Sequence, residues 1–230
     1  MAAPDISASK ITPPNPDVWE AAYLRFETPE QEIGKFQSRL NKLGAKSWPR
    51  DSQVVELFCG RGNGLHALQG LGFTALEGVD LSPTLIAQYK GDAICHTGDC
   101  RQLPFANRSK DILIVQGGLH HLPEFPSDLL RTVLEMNRVL RPNGRLVVVE
   151  PWLTPFLSFV HTVCENPSAR RMSNKLDALA TMIENERVTY EQWLGQPQSI
   201  LQIVHEHFDT LRESMAWGKW NFVGTPKRAS

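Results

Sequence analysis

Short apolar runs alternate with amphipathic stretches through the middle of the chain, a pattern typical of strands that are each followed by a helix. Because the connections between them are short, we expect a parallel sheet with helices on both faces and a ligand at the carboxyl ends of its strands. Strands are predicted at about 53–58, 74–79, 93–96, 111–115 and 145–150. Helices are predicted at about 63–71, from Ser82-Pro83 onward, and at 128–140 with Ser127 as the cap, and a turn at 141–144.

The region before residue 50 is expected to begin with a loosely ordered arm over residues 1–16, which is rich in proline, alanine and serine. A short helix is predicted at about 17–26. A second helix follows, because Thr28 can cap it, Pro29 suits its first position and Gln31 completes a capping box.

The region after Glu150 departs from the alternation. Helices are predicted near 173–187 and 189–206. Alternating residues then predict a β-hairpin with Gly218-Lys219 as its turn, which would add an antiparallel strand to the sheet. The expected fold is therefore α/β, a doubly wound and mostly parallel sheet of seven strands with an antiparallel carboxy-terminal hairpin.

Composition places few restrictions on this picture. The chain has 230 residues, 41% hydrophobic and 21% charged, as expected of a single globular domain. Its net charge of -1 provides no general attraction to nucleic acid or anionic membranes. The most apolar stretch, Leu146–Val163, is interrupted by charged and proline residues, so no membrane span is expected. Four cysteines without a Cys-x-x-Cys pair, and no secretory signal, favour a reduced cytoplasmic protein.

Polar residues cluster where the predicted strands end, and together they describe a ligand with distinct parts. Glycines at 60, 62 and 64 leave backbone amides free for a polar tail. An acid at the end of the second strand, Asp80, suits the hydroxyls of a ribose. A second acid, Asp99, suits an exocyclic amine such as that of adenine, with the amide of Cys100 as a donor to a ring nitrogen.

Five segments in this order carry a family resemblance: Glu56-Leu-Phe-Cys-Gly-Arg-Gly62, Gly78-Val-Asp80-Leu-Ser, Gly98-Asp-Cys-x-x-Leu-Pro-Phe105, Gly118-Leu-His-His-Leu122, and Arg138-Val-Leu-Arg-Pro-x-Gly144 followed by Glu150-Pro151. Over residues 50–150 the chain resembles the class I S-adenosylmethionine-dependent methyltransferases. It is most similar to the small-molecule enzymes of the ubiquinone and menaquinone biosynthesis type. The resemblance implies a Rossmann-like fold, S-adenosyl-L-methionine as cofactor and S-adenosyl-L-homocysteine as product.

The resemblance also implies an organisation of the chain and a set of roles. Residues 1–50 would cover the site, and residues 51–230 would form the methyltransferase domain with 151–206 as an acceptor-side helical insertion, all within one domain. The acceptor would be a small molecule methylated on oxygen, carbon or nitrogen by direct displacement. The expected cofactor-binding residues are Glu56, Phe58, Gly60, Gly62, Asp80, Leu81, Asp99, Cys100, Gln116 and Gly117.

Two features leave alternatives open. Phe58 stands where the family usually has the first glycine of its loop, and a Phe-Cys-Gly loop also occurs in enzymes that methylate RNA bases. The other signatures of RNA-modifying enzymes are missing, so no nucleic-acid partner is expected. The spacing of Gly62, Gly64, Ala67 and Asp80 also fits a dinucleotide fingerprint, which would not account for Asp99. A further alternative is a cofactor-binding subunit without catalysis.

His120 and His121 follow the fourth strand and are the candidate catalytic residues, because an imidazole can remove a proton from an acceptor. Local packing is the competing interpretation. The acceptor side would include Tyr23, Phe26, Trp152 and Phe156, unless these aromatic residues are ordinary core. No metal site is expected, since His205-x-His207 lies in a stretch with a helical pattern.

Overall fold

The computed structural model describes residues 16–227, so the arm predicted at 1–16 lies outside the described residues except for Pro16. One sheet of seven strands organises this part of the chain, in the order β3-β2-β1-β4-β5-β7-β6. The strands are β1 Gln53–Leu57, β2 Ala75–Asp80, β3 Ile94–Thr97, β4 Lys110–Gln116, β5 Leu140–Pro151, β6 Phe208–Ala216 and β7 Lys219–Pro226.

The described residues also form ten α-helices, which pack around this sheet. They are α1 Pro16–Phe26, α2 Pro29–Lys42, α3 Asn63–Gly70, α4 Pro83–Ile86, α5 Ser127–Val139, α6 Pro155–Glu165, α7 Pro167–Met172, α8 Asn174–Asn185, α9 Arg187–Leu194 and α10 Pro197–His207. The predicted capping box at the start of α2 is present, with the Thr28 hydroxyl accepting from the Gln31 amide. None of these helices combines the length and apolar character that a membrane crossing requires.

The sheet confirms the predicted fold class. Strands β1 to β5 pair in parallel, and β7 pairs antiparallel with β5 and β6. Alternate strand residues supply two apolar layers. Val55 and Leu57 belong to the layer under α5 and α10, whereas Val54 and Ile112 belong to the layer under α2 and α3. Since the side chains of successive strand residues point to opposite faces, the same alternation decides on which face each residue near the strand ends lies.

Several predicted boundaries differ from the structure. Ser127 does not cap α5: it is the first helical residue, and its hydroxyl donates to the Glu124 carbonyl. The helix predicted over 189–206 is two helices, α9 and α10, because Gly195 and Pro197 interrupt it. Helices α6 and α7 were not predicted, and the turn predicted at 141–144 is a bulge inside β5, between its pairings with Lys110 and Ile112.

The turn of the carboxy-terminal hairpin lies one residue before its predicted position. Ala216 pairs with Lys219, so Trp217 and Gly218 form the two-residue turn. Both have positive φ, 53° and 74°, as a type I′ turn requires. A tryptophan in the left-handed region is uncommon, which is why the sequence favoured the glycine as the first turn residue.

Candidate active site

The loop between β1 and α3 is held in a left-handed conformation and is tied to the end of β2. Phe58, Gly60 and Gly62 all have positive φ, at 57°, 50° and 82°. The Asp80 carboxylate accepts from the Gly60 amide and from the Ser82 amide, both at 2.8 Å. Asp80 therefore positions the loop, in addition to the ribose contact that we predict for it.

Two glycines at the site face open space. A Cβ placed on Gly60 or on Gly117 would meet no atom closer than 3.9 Å. By contrast, a Cβ on Gly62 would collide with the ring of Tyr89, and one on Gly64 with the Glu56 carboxyl. The first pair thus lines a free surface at the strand ends that a ligand could approach, whereas the second pair is needed for packing.

Buried polar atoms without a partner lie at the same strand ends. Glu56 Oε2 and Gln116 Nε2 are both buried and accept or donate no hydrogen bond among the described residues. Burial, followed by the charge of Glu32, raises the pKa of the Glu56 carboxyl well above its usual range. Arg39 of α2 donates to Gln116 Oε1 at 3.1 Å. The unpartnered carboxyl oxygen and amide nitrogen would suit the ammonium and carboxylate of the methionine part of S-adenosylmethionine.

The predicted adenine side is partly engaged by a neighbouring side chain. Arg101 donates to the Asp99 carboxylate from Nε at 3.0 Å and from Nη2 at 2.7 Å. Its Nη1 donates to the Asp128 carboxylate at 2.9 Å. Arg101 accordingly holds the pKa of Asp99 below its usual range. The Cys100 thiol is buried, 3.6 Å from the Thr132 hydroxyl, while Leu81 is 63% exposed at the end of β2. An exposed leucine there offers an apolar face for a ring.

Helix α1 bridges the glycine loop and the acceptor-side helices. Glu20 accepts from Arg61 of the loop at 3.1 Å, and Arg25 donates to Asp177 of α8 at 3.1 Å. Tyr23 stacks on Trp19 with 4.9 Å between ring centroids, and Trp19 contacts the His121 ring edge-on at 6.4 Å.

The two predicted aromatic residues of α1 are thus placed differently. Tyr23 faces the glycine loop, where Arg61 lies 5.6 Å from its ring centroid. Phe26 lies at the end of the helix, 5.9 Å from the Lys35 ammonium. The structure brings Tyr23, and not Phe26, into contact with the loop.

His120 and His121 form a compact cluster with two carboxylates. His120 Nδ1 lies 2.7 Å from Glu150 Oε2, and Glu150 Oε1 accepts from the backbone amides of Gly118 and Leu119 at 2.8 and 2.7 Å. Glu186, between α8 and α9, lies 3.8 Å from His120 Nε2 and 3.5 Å from His121 Nδ1. The two imidazole rings are 4.1 Å apart.

This environment shifts the pKa values of the two histidines in opposite directions. Burial lowers the pKa of His120, but the Glu150 and Glu186 carboxylates outweigh burial and raise the pKa to about 9. Burial and then the charge of His120 lower the pKa of His121 to about 4. Near neutral pH, one imidazole is therefore charged and the other neutral, and neither is tuned near pH 7 as an unassisted general base would be.

The acceptor-side residues predicted after β5 do not stand together. Trp152 is buried in the core, 5.5 Å from the ring of Trp220. Phe156 is about half exposed and packs edge-on against Trp217 of the hairpin turn at 5.4 Å. Trp152 is therefore a core residue, whereas Phe156 forms an exposed aromatic pair with Trp217.

Sequence reasoning missed several residues that contribute to the site. Arg39 comes from α2 and Glu186 from the junction of α8 and α9, both outside the recognised motifs, and no signal in the sequence marks them. Lys219, at the start of β7, is likewise unmarked; burial and the charge of Arg39 lower its pKa to about 8. Glu186, Arg39 and Lys219 come close to the carboxyl ends of the strands only through tertiary packing of the helices and of the hairpin.

A surface cavity of about 440 Å³ lies away from this site, beside α7 and α8. It is lined by charged side chains, of which Arg170 pairs with Asp177 and Glu184. Because Arg170 is already paired with two carboxylates there, we interpret the cavity as a solvent groove. Glu56 Oε2 and Gln116 Nε2 are buried without a partner among the described residues, so the strand ends remain the candidate site.

Comparisons with known proteins identify methyltransferases as relatives of this chain. A family described as a methyltransferase domain matches residues 55–148. A demethylmenaquinone methyltransferase of Beutenbergia cavernae is 31% identical over 180 residues, which is 74% of this chain and 69% of the relative. The enzyme of the same name from Staphylococcus aureus is 29% identical over 143 residues, 52% of this chain and 57% of the relative.

Solved structures agree on the fold. The PH0226 protein from Pyrococcus horikoshii superposes with a TM-score of 0.67 at 18% identity, covering 91% of this chain and 98% of that protein. A TehB-like SAM-dependent methyltransferase from Corynebacterium glutamicum gives a TM-score of 0.60 at 16% identity, covering 93% and 100%. At these identities the superpositions concern the fold alone.

Proposed function

This chain belongs to the class I S-adenosylmethionine-dependent methyltransferases, which are enzymes, and we propose that its methyl acceptor is a small molecule. One observation carries the proposal. The polar cluster at the strand ends is largely buried: Glu150 is fully buried, His120 is 8% exposed, and His121, with 36% of its side chain exposed, contacts Trp19 of α1. Because most of the cluster is buried and solvent reaches it at His121, the access favours a small acceptor over a macromolecule.

We assign the cofactor side to the glycine loop and its neighbours. The open faces of Gly60 and Gly117 would let the backbone approach the methionine part. Glu56 Oε2 would accept from its ammonium, and Arg39 with Gln116 Nε2 would donate to its carboxylate. Asp80 would accept from the ribose hydroxyls with the lone pairs that Gly60 and Ser82 leave free, as a carboxylate offers about four acceptor positions.

On the adenine side, Leu81 would pack against the ring, and the backbone amide of Cys100 would donate to a ring nitrogen. Asp99 would accept from the exocyclic amine while Arg101 holds its carboxylate in place. Phe58 and Gly62 would shape the loop itself, through their positive φ angles. These roles complete the cofactor-binding set that the sequence predicts.

When bound, S-adenosylmethionine would supply an activated methyl group on a sulfonium, which passes to the attacking acceptor atom while sulfur keeps the electron pair of the broken carbon–sulfur bond. The chain's own contribution is alignment and exclusion of water. Trp19 and Tyr23 would cover the reacting atoms from the α1 side. His121, neutral near pH 7, can accept a hydrogen bond from an acceptor hydroxyl, and His120 with Glu150 would fix the position of its neighbour.

The relatives guide the choice of acceptor. Since two of them carry the name demethylmenaquinone methyltransferase, we propose a reduced quinone-type ring with an acidic carbon or hydroxyl as the first class to test. The experiment measures transfer of label from methyl-labelled S-adenosylmethionine to demethylmenaquinol and to a panel of phenols and amines. Label in a small-molecule product is expected, and label recovered only in RNA or protein would overturn the proposal.

Cofactor binding is tested separately, by calorimetric titration with S-adenosylhomocysteine and with NAD as the control ligand. We expect the first to bind and the second not to bind. Binding of NAD alone would assign the glycine loop to the dinucleotide interpretation and would remove the roles proposed above.

A further inference from the structure

Three side chains that the methyl-transfer roles do not fully use direct ligand atoms toward one point. One ring nitrogen of His120, one of His121 and one carboxylate oxygen of Glu186 all lie within 4.8 Å of one another. Glu186 Oε2 lies 3.8 Å from His120 Nε2, and its other oxygen, Oε1, lies 3.5 Å from His121 Nδ1. We propose that these residues form a binding site for a divalent transition-metal cation of the zinc type.

The geometry fits such a cation closely. Zinc binds imidazole nitrogen and carboxylate oxygen at about 2.0–2.2 Å, so neighbouring ligand atoms of a tetrahedral site lie roughly 3.4 Å apart. The two distances, each to a different oxygen of Glu186, exceed that spacing by only a few tenths of an ångström. Rotation of the Glu186 carboxylate would present one oxygen to both imidazoles.

A carboxylate behind the first ligand supports the same assignment. Metal-binding histidines usually donate their other ring N–H to a carboxylate or carbonyl, which fixes the tautomer and orients the ring. Glu150 has this position at His120 Nδ1, at 2.7 Å, and is itself fixed by the backbone amides of Gly118 and Leu119. With Nδ1 donating to Glu150, loss of the second ring proton would leave the lone pair of His120 on Nε2, the atom that faces Glu186, so cation binding would release that proton.

Charge balance gives a further reason. Glu150 and Glu186 lie in a largely buried cluster, where the charge of His120 balances them in part. A divalent cation that displaces the His120 proton would bring two positive charges to the same two carboxylates. The ligand type, two nitrogens and one carboxylate oxygen, favours zinc-type cations over magnesium or calcium, which prefer oxygen.

Three protein ligands leave a coordination position for a water molecule or a substrate oxygen. On the proposed function, this position would hold an acceptor hydroxyl and favour its ionised form, with the proton released to water. That use rests on the proposed function, whereas cation binding itself does not.

The neighbouring histidine is excluded from the ligand set by its own contact. His161 Nε2 lies 3.1 Å from the Tyr190 hydroxyl, and the Tyr190 ring packs edge-on against His120 at 5.9 Å. Tyr190 thus separates His161 from the cluster. His205, on α10, instead contacts Glu213 at 3.2 Å and serves as a control outside the site.

The test titrates the full chain, without S-adenosylmethionine, with Co²⁺ as a spectroscopic substitute for zinc. We expect visible absorption bands of tetrahedral cobalt that saturate at one equivalent and are displaced by Zn²⁺. The His121→Ala and Glu186→Gln variants should lose affinity for Co²⁺ by more than the roughly 10–100-fold that an outer-shell change costs. Glu150→Gln should fall within that range, and His205→Gln should be unchanged.

Each variant is also titrated with S-adenosylhomocysteine to show that it is folded. Retained cofactor binding with lost cobalt binding supports the site. No saturable cobalt spectrum in the wild type, equal cobalt affinity in His121→Ala, or thiolate-to-cobalt bands that indicate a cysteine site would overturn it. Failure of cofactor binding with an intact cobalt spectrum would refute the proposed function and leave the cation site standing.

Discussion

The ring of Phe58 lies directly against the backbone of Gly118. A Cβ placed on Gly118 would be 2.2 Å from Phe58 Cγ, a distance that no real contact tolerates. Phe58 itself has a φ of 57°, a conformation that costs an aromatic residue free energy and costs glycine very little. The aromatic residue in the loop and the glycine after β4 are therefore a matched pair, and the space that Phe58 needs is available only because residue 118 has no side chain.

This pairing predicts a strongly non-additive effect on stability. Gly118→Ala alone should lower the free energy of unfolding by about 1–3 kcal/mol, because the added methyl group overpacks the Phe58 ring. In the double variant with Phe58→Gly the clash disappears, so the loss should be smaller than the sum of the two single losses. Urea denaturation of the four proteins measures the coupling.

Gly98→Ala is the matched control, since its Cβ would lie 3.5 Å from the nearest atom, an ordinary contact. It should change the stability little. Additive losses for Phe58→Gly and Gly118→Ala would show that the two residues are not coupled.

Local chemistry made most of the fold predictable. The capping box of Thr28 and Gln31 and the apolar run of β4 depend on neighbouring residues, so the sequence was sufficient to recognise them. The boundary errors also have local causes. Trp217 in a left-handed turn position breaks the usual preference, and Gly195 with Pro197 divides a stretch whose apolar pattern continues across both helices.

The site was less predictable because part of it depends on distant packing. His120 and His121 were visible as a pair, but Glu186 joins them from 65 positions beyond His121, through the fold of α8 and α9. Arg101 is adjacent to Asp99 in sequence, yet only the structure shows that the two are paired. Burial, which sets the pKa of Glu56 and of His121, has no sequence signature at a single position.

Asp80 provides a test of the cofactor side. Asp80→Ala should weaken binding of S-adenosylhomocysteine by about 1–3 kcal/mol, because the change removes the predicted ribose acceptor and leaves the Gly60 amide without its partner. Calorimetric titration measures the loss. Asp92→Ala is the control, since Asp92 is exposed and its carboxylate accepts from Gln69. Equal affinity in wild type and Asp80→Ala would show that the cofactor binds elsewhere.

Glu56 predicts a proton released on cofactor binding. Because its pKa is raised, the Glu56 carboxyl of the free protein stays protonated at pH values where an ordinary glutamate is charged. An ammonium group placed at Oε2 would favour the charged form and so release the proton. The calorimetric enthalpy of S-adenosylhomocysteine binding should therefore depend on the ionisation enthalpy of the buffer. Glu56→Gln, which cannot ionise, should lose the part of this dependence that comes from residue 56. An identical buffer dependence in both proteins would contradict the prediction.

Lys219 predicts a stability that rises with pH in the alkaline range. Burial, with the charges of Arg39 and Lys35, lowers its pKa in the folded chain to about 8, against about 10.4 in an unfolded chain. Between these two values the unfolded chain binds more protons, so the free energy of unfolding contributed by Lys219 increases as the pH rises. The contribution of Lys219 to the free energy of unfolding should be lowest below pH 8 and highest near the pKa of an unfolded lysine.

The measurement compares urea denaturation of wild type and Lys219→Met from pH 7 to about 9.5, within the window that the two pKa values define. Because methionine has no titrating group, the variant should be more stable than wild type at pH 7, and the difference should shrink as the pH rises. Lys175→Met, at an exposed position on α8, should show no such trend. A pH-independent difference between wild type and Lys219→Met would mean that Lys219 keeps an ordinary pKa, and that the cationic region formed with Arg39 does not disfavour its charged form.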